Sequence, residues 1–212
     1  MVIVLPQRAP ERLAAELVAQ HARWIDRHRR RLLDELSVLA ARPAIGDGRP
    51  VTLRGLPHDV YVERAPAAAR RSTVLLEHHS VAAIVVRRAA GDGRSPTDLL
   101  ERWLRRVARE DLAAAMAARA AEIGVRPARL TVRDQRTRWG SASVRGTLSF
   151  SWRLVLCPPE ILDYVVVHEL AHLRVRGHSA RFWGIVHRHA PAAEHSRHWL
   201  RRNERLLRRA LD

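Results

Sequence analysis

His168, Glu169 and His172 fall in the segment HELAH, with two histidines four apart and a carboxylate directly after the first. At 100° per residue on a helix, the two imidazoles lie roughly 40° apart on one face, one turn from each other. That spacing suits two ligands of one zinc ion, with the glutamate as general base. A catalytic zinc takes three protein ligands and keeps a fourth position for water, whose pKa falls toward neutrality. Glu169 would take a proton from that water and pass it to the leaving amine. With 12 His in 212 residues, and as many Glu, random placement gives H-E-x-x-H in ~4 of 100 such chains. A further histidine six residues on, His178, lowers that chance by roughly fifteen- to twentyfold at this composition. His178 is a candidate third ligand. Glu194 is its strongest rival, followed by His187, His189, His195 and His198.

The elements around the motif must hold it. Ile161, Leu162, Val165, Val166, Leu170 and Leu173 make the helix from Pro158–Pro159 onward apolar almost all round, so it reads as buried. Polar groups inside such a helix need partners, and a metal supplies them. Gly177 suits a left-handed helix cap that turns the chain back, and Ser179 is placed to cap the next helix, RFWGIVHRHA. Upstream, TLSFSWRLVL (147–156) alternates. Leu148, Phe150, Trp152, Leu154 and Leu156 face one way, and a polar set faces the other, which predicts a half-buried strand bordering a cleft. If it lies at a sheet edge, an extended peptide could add to it.

The rest of the chain supports this core. A short strand at the start precedes one long helix from Pro10 to about Ala41. Residues 51–88 read as a small antiparallel sheet built from HDVYVER, STVLLEH and, after a tight turn, SVAAIVVRR. Ser95-Pro96-Thr97-Asp98 opens a helix that Gly124 stops near Ile123. ARLTVRDQ is a strand, and RWGSASVRG supplies glycine turns.

Composition bounds the function. Hydrophobic residues make up 47% of the chain, enough for a core. The net charge is +16, and all 38 basic residues are Arg. A bias that complete fits a solvated surface better than a selected one, although an anionic partner is the sharper alternative. The single cysteine, Cys157, excludes an intramolecular disulfide and reads as a packed side chain. No apolar run reaches membrane-spanning length, so a soluble, cytoplasmic protein without a membrane partner is expected.

The stretch from Ala128 to Leu200 resembles the YgjP-like metallopeptidases, small bacterial zincin-fold proteins distantly related to the SprT-like and WLM metalloprotease domains. RWGS (138–141), YVVVHELAH (164–172) and GHSARFW (177–183) carry the resemblance most specifically. The upstream order, with Trp24-Ile25 in its long helix, is also similar. The resemblance implies that His168, His172 and His178 bind zinc and that Glu169 is catalytic, and it favours His178 over Glu194. Two positions depart from the family pattern: Ala142 stands where R-W-G-S-C-S is usual, and Ser151 where N-W-R-L is usual. Neither is a proposed ligand. RWGS itself reads first as Trp139 anchoring a glycine turn in the core, with Arg138 free to face the cleft.

The expected fold is α+β and zincin-like, with a small antiparallel sheet packed on the motif helix and an additional N-terminal helix and small sheet. Residues 1–95 form the N-terminal part and 96–212 the peptidase core, together one compact unit. The leading reading is a zinc-dependent hydrolase of peptides or unfolded protein. One alternative is a nucleotide pyrophosphatase, because one branch of the family is associated with hydrolysis of uridine triphosphate. Its phosphate contacts would have to come from arginines such as Arg133, Arg136 and Arg153, since no Gly-rich phosphate loop and no lysine is present. The other alternative is a nucleic-acid-associated protease, although no zinc ribbon or DNA-reading motif is found.

Overall fold

A computed structural model describes residues 10, 12–40, 44–78, 82–135 and 137–212. The expected strand at the start and the tight turn before SVAAIVVRR lie outside the described residues. By packing, the chain falls into two units, Met1–Pro43 and Ala44–Asp212. The first holds α1 (Arg12–Gln20) and α2 (Ala22–Ala40). The single long helix expected there is interrupted at His21. Backbone bonds from His21 to Leu17 and from Ile25 to His21 carry across the break.

The second unit is a mixed α+β fold with one continuous core running from Val51 to Leu207. Its first sheet contains β1 (Asp47–Leu53), β2 (Leu56–Arg64), β3 (Thr73–His78) and β4 (Ala82–Arg88), in the order β1-β2-β4-β3. An all-antiparallel sheet was expected, but β2 and β4 run parallel. The reason lies in β4, where Ala83, Ile84, Val85 and Val86 are all buried. A strand apolar on both faces belongs in the middle of a sheet, so it inserts between β2 and its hairpin partner β3.

Helix α3 (Pro96–Ile123) begins where the sequence signals it. Ser95 and Asp98 form a reciprocal capping box, and Gly124 ends the helix at φ 71°. The second sheet contains β5 (Arg129–Arg133), β6 (Gly140–Ala142) and β7 (Thr147–Ser151), in the order β5-β7-β6. Two expectations change here. The sheet is mixed, with β5 parallel and β6 antiparallel to β7. The predicted strand 147–156 also stops at Ser151, and Trp152–Leu156 coil into a 3-10 turn. Ser151 caps that turn by accepting from the Arg153 N–H. Trp152, Leu154, Val155 and Leu156 are all buried, which a two-residue alternation cannot achieve. Helices α4 (Pro159–Ala171), α5 (Ala180–His189) and α6 (Ala193–Arg208) complete the unit.

Two links fix α4. Arg119 on α3 holds Asp163 on α4 by paired hydrogen bonds of 2.9 and 2.8 Å. The β1–β2 turn donates from Arg54 and Gly55 to the carbonyls of Val155 and Leu156. Gly55 has φ 81°, and a Cβ there would lie 2.9 Å from Pro158 Cγ, at the entry to α4. A Gly55→Ala substitution therefore combines left-handed strain with overpacking and is expected to destabilise by about 2–4 kcal/mol in denaturant titration. An unchanged midpoint would mean that the turn does not clamp the helix.

Candidate metal centre

Helix α4 starts at Pro158–Pro159, where a missing N–H costs nothing, and nine of its residues are buried. Glu169 is among them, 6% exposed. His168 lies on the same helix, and His172 is its C-terminal cap residue. The helix ends six residues before Gly177, earlier than the sequence suggested. A short turned segment follows, in which Gly177 adopts φ 77°. That glycine still reverses the chain and brings His178 back. Ser179 then caps α5 by accepting from the Phe182 N–H.

The structure brings His168, His172 and His178 together, with one ligand nitrogen from each lying within 4.8 Å of the others. Nε2 of His168 and Nε2 of His178 are 3.2 Å apart. Two nitrogens each about 2.0–2.1 Å from one tetrahedral zinc stand about 3.3 Å apart, so this pair fits a shared metal. Nδ1 of His172 is 3.4 Å from the Val175 carbonyl, a contact that leaves Nε2 of that ring free as a ligand. Nδ1 of His168 is buried without a partner. Aromatic rings support the donors. Phe182 stacks on His172 at 4.5 Å, Trp183 lies over His178 at 5.9 Å, and Tyr164 meets His168 edge-on.

Burial favours the ligating form of the imidazoles. Desolvation, then the neighbouring histidines and Arg197, push His168 down to about 3. Desolvation also lowers His172. Neutral imidazoles are what a metal requires, so His168 and His172 suit the ion. Desolvation has the opposite effect on Glu169, raising its carboxyl to about 7, and the Arg138 guanidinium draws it partly back.

The rivals for the third position lie elsewhere. Glu194 pairs with Arg197 on its own helix. His189 faces Glu122, His187 stacks on Trp183, and His195 and His198 are exposed. Of the arginines considered for phosphate contacts, Arg153 is paired with Asp134 and covers the Trp152 ring, while Arg133 is exposed at the end of β5. Arg136 lies outside the described residues. Burial drives the Cys157 thiol pKa well up, consistent with a packing role.

Sequence reasoning missed Gly140. A Cβ at that position would lie 2.6 Å from both Cγ and Oε1 of Glu169, so the carboxylate packs directly on the bare backbone of β6. The signal was RWGS, in which the glycine was read as a turn. Glu169 separates two openings. One is a cleft of about 1140 Å³ shared with all three histidines. The other is a pocket of about 290 Å³ bordered by Tyr164, Arg197 and Arg201.

A solvent-open group of three imidazoles beside a buried carboxylate belongs with the metal-dependent hydrolases. The chain is a member of the YgjP-like family: the model of the YgjP-like metallopeptidase domain matches residues 1–203. Its general class is therefore that of a metallopeptidase. Among solved structures, the crystal structure of the metallopeptidase zymogen of Pyrococcus abyssi abylysin is 22% identical, with a TM-score of 0.38. That match covers 46% of this chain and 96% of the other. No curated protein matches the sequence. Among the described residues, no helix is long and apolar enough to cross a membrane.

The two burial effects have opposite signs in the metal-free protein. His168 titrates near 6.5 when unfolded but near 3 when folded, so acidification below about 6.5 favours the unfolded chain. His172 acts in the same direction. Glu169 titrates near 4.5 when unfolded but near 7 when folded, so acidification between those values favours the folded chain. The metal-free Glu169→Gln variant, which lacks this offset, should lose thermal stability more steeply than the wild type as the pH falls from about 7 to 5. Parallel slopes would mean that Glu169 stays ionised in the fold.

Proposed function

We propose that the protein is a zinc-dependent peptidase in which His168, His172 and His178 hold the metal and Glu169 is the general base. The observation that carries this reading is the convergence of three imidazoles beside a buried carboxylate in one open cleft. A zinc ion held there would supply Lewis-acid activation of a water and of the scissile carbonyl. Glu169 and His168 diverge by roughly 100° around α4, so the carboxylate is placed beside the ligand set and outside it. Packed on Gly140, it has a fixed position from which to accept a proton and return it to the leaving nitrogen. Phe182 and Trp183 hold the rings in orientation.

The substrate is an extended peptide or unfolded protein. The strand available to it is β6, at the edge of its sheet, whereas β7 lies in the centre with both edges paired. Main-chain hydrogen bonds to β6 would bring a peptide alongside Gly140 and hence alongside Glu169. A cytoplasmic setting, in which the lone cysteine stays reduced, accompanies this reading.

Elemental analysis should find about one zinc per chain, as expected for a single three-ligand site. Loss of zinc in Glu194→Ala, with retention in His178→Ala, would overturn the ligand assignment. Glu169→Gln should keep zinc and thermal stability at neutral pH while slowing peptide hydrolysis by ~100-fold or more. Release of pyrophosphate from uridine triphosphate, with no peptide cleaved, would instead support the nucleotide reading.

A second variant tests the seat of the base. Gly140→Ala places a methyl group against the Glu169 carboxylate without demanding an unusual backbone angle. It should retain zinc and fold but lose turnover by roughly 100-fold, the scale of a misplaced catalytic group. Wild-type turnover would show that the carboxylate tolerates displacement.

A further inference from the structure

The larger cleft has a charge pattern that peptide hydrolysis does not require. Arg126, Arg138, Arg145, Arg174 and Arg176 line it, and among the described residues Glu169 is its only carboxylate. All five arginines are exposed, and none forms an ion pair among the described residues. Elsewhere on the surface some arginines are matched, as Arg54 is with Asp111, Arg94 with Asp92, Arg105 with Glu101, Arg119 with Asp163 and Arg208 with Glu204, whereas others, such as Arg70, Arg71 and Arg188, are exposed without an ion pair among the described residues. What sets the cleft apart is the number of arginines in one concave space, where five guanidinium groups face a single carboxylate, Glu169, among the described residues.

Their placement follows the edge strand. Arg138 lies two residues before β6, and Arg145 lies three residues after it. Arg174 and Arg176 stand on the segment between α4 and α5, which also carries His178. Arg126 comes from the loop after α3. A chain laid along β6 would thus meet guanidinium groups on both sides of the point nearest Glu169.

The geometry points to an acidic polypeptide as the substrate, with Asp or Glu side chains on both sides of the scissile bond. This inference rests on the peptidase reading and narrows it. Guanidinium groups match carboxylates by paired, charge-assisted hydrogen bonds, and a concave site of one sign concentrates oppositely charged ligands. The same charge would attract a single-stranded nucleic acid. However, among the described residues the cleft lining includes no Phe, Tyr or Trp on which bases could stack, while β6 offers an edge for an extended peptide.

The test uses the full-length, zinc-loaded protein and three peptides of one length. One carries Asp and Glu around a central bond, the second has Asn and Gln at those positions, and the third has Lys and Arg. Hydrolysis is followed by mass spectrometry, and binding to the Glu169→Gln variant by fluorescence anisotropy. The acidic peptide should be preferred by about tenfold or more in both, and the preference should shrink with added salt. Arg145→Glu/Arg174→Glu should abolish it while zinc content and melting temperature hold. Arg70→Glu/Arg71→Glu has the same net charge but changes exposed residues outside the cleft, and it should keep the preference. Cleavage of all three peptides at equal rates would overturn the acidic preference and leave the peptidase reading standing. Selective binding of the acidic peptide without any cleavage would support the recognition and sink the peptidase reading. Equal loss in Arg70→Glu/Arg71→Glu, or tighter cleft binding by an oligonucleotide of matched charge, would overturn the inference.

Discussion

The cost of holding ionisable groups inside an apolar helix governs this structure. Helix α4 buries Glu169 among Leu170, Val166 and Val165, where a carboxylate lacks the hydration that would keep it charged. The same environment strips the proton from His168. Desolvation thus sorts the two residue types in opposite directions, leaving neutral nitrogens on one side and a carboxyl of raised proton affinity on the other. Such groups can stay in place only if the helix cannot shift to rehydrate them. The Arg119–Asp163 pair and the β1–β2 turn against Pro158 both oppose that shift from the N-terminal part of α4.

Support also arrives from the C-terminal end of the chain. Arg208 on α6 covers the Trp139 ring at 4.4 Å and donates to the Gln135 carbonyl. The Trp139 carbonyl accepts from the Ser151 N–H, at the end of β7. The segment carrying Arg138 and Gly140 is thereby held from both sides, which explains how a three-residue strand can serve as a firm wall. Trp183 links the third histidine to the same helix, because the Arg197 guanidinium lies 4.9 Å from its ring centroid.

Much of this was legible in the sequence, for local reasons. The spacing of HELAH, the capping box at Ser95 and the stop at Gly124 are encoded within a few residues of where they act. The parallel pairing of β5 with β7 was not legible, because strand direction is chosen by partners far away in the chain. Trp152–Leu156 were misread because Leu-x-Phe-x-Trp-x-Leu alternates equally well in a strand and into a buried 3-10 turn. The contact between Gly140 and Glu169 joins positions brought together only by folding, and a missing side chain leaves no pattern to detect. Helix α6 shows the reverse case. Ala193, Ser196, Leu200 and Leu207 repeat at helical spacing and are buried, yet its histidines drew attention as ligands instead.

The choice of base around the cleft has a consequence of its own. A lysine rim would begin to discharge as solutions turn alkaline, and its amines could be acetylated or condense with carbonyl compounds. Guanidinium groups keep their charge throughout the ordinary pH range. The field at the mouth of this cleft is therefore a fixed property of the molecule, and the inner groups, the imidazoles and the lone carboxyl, are left to set how the site responds to acidity.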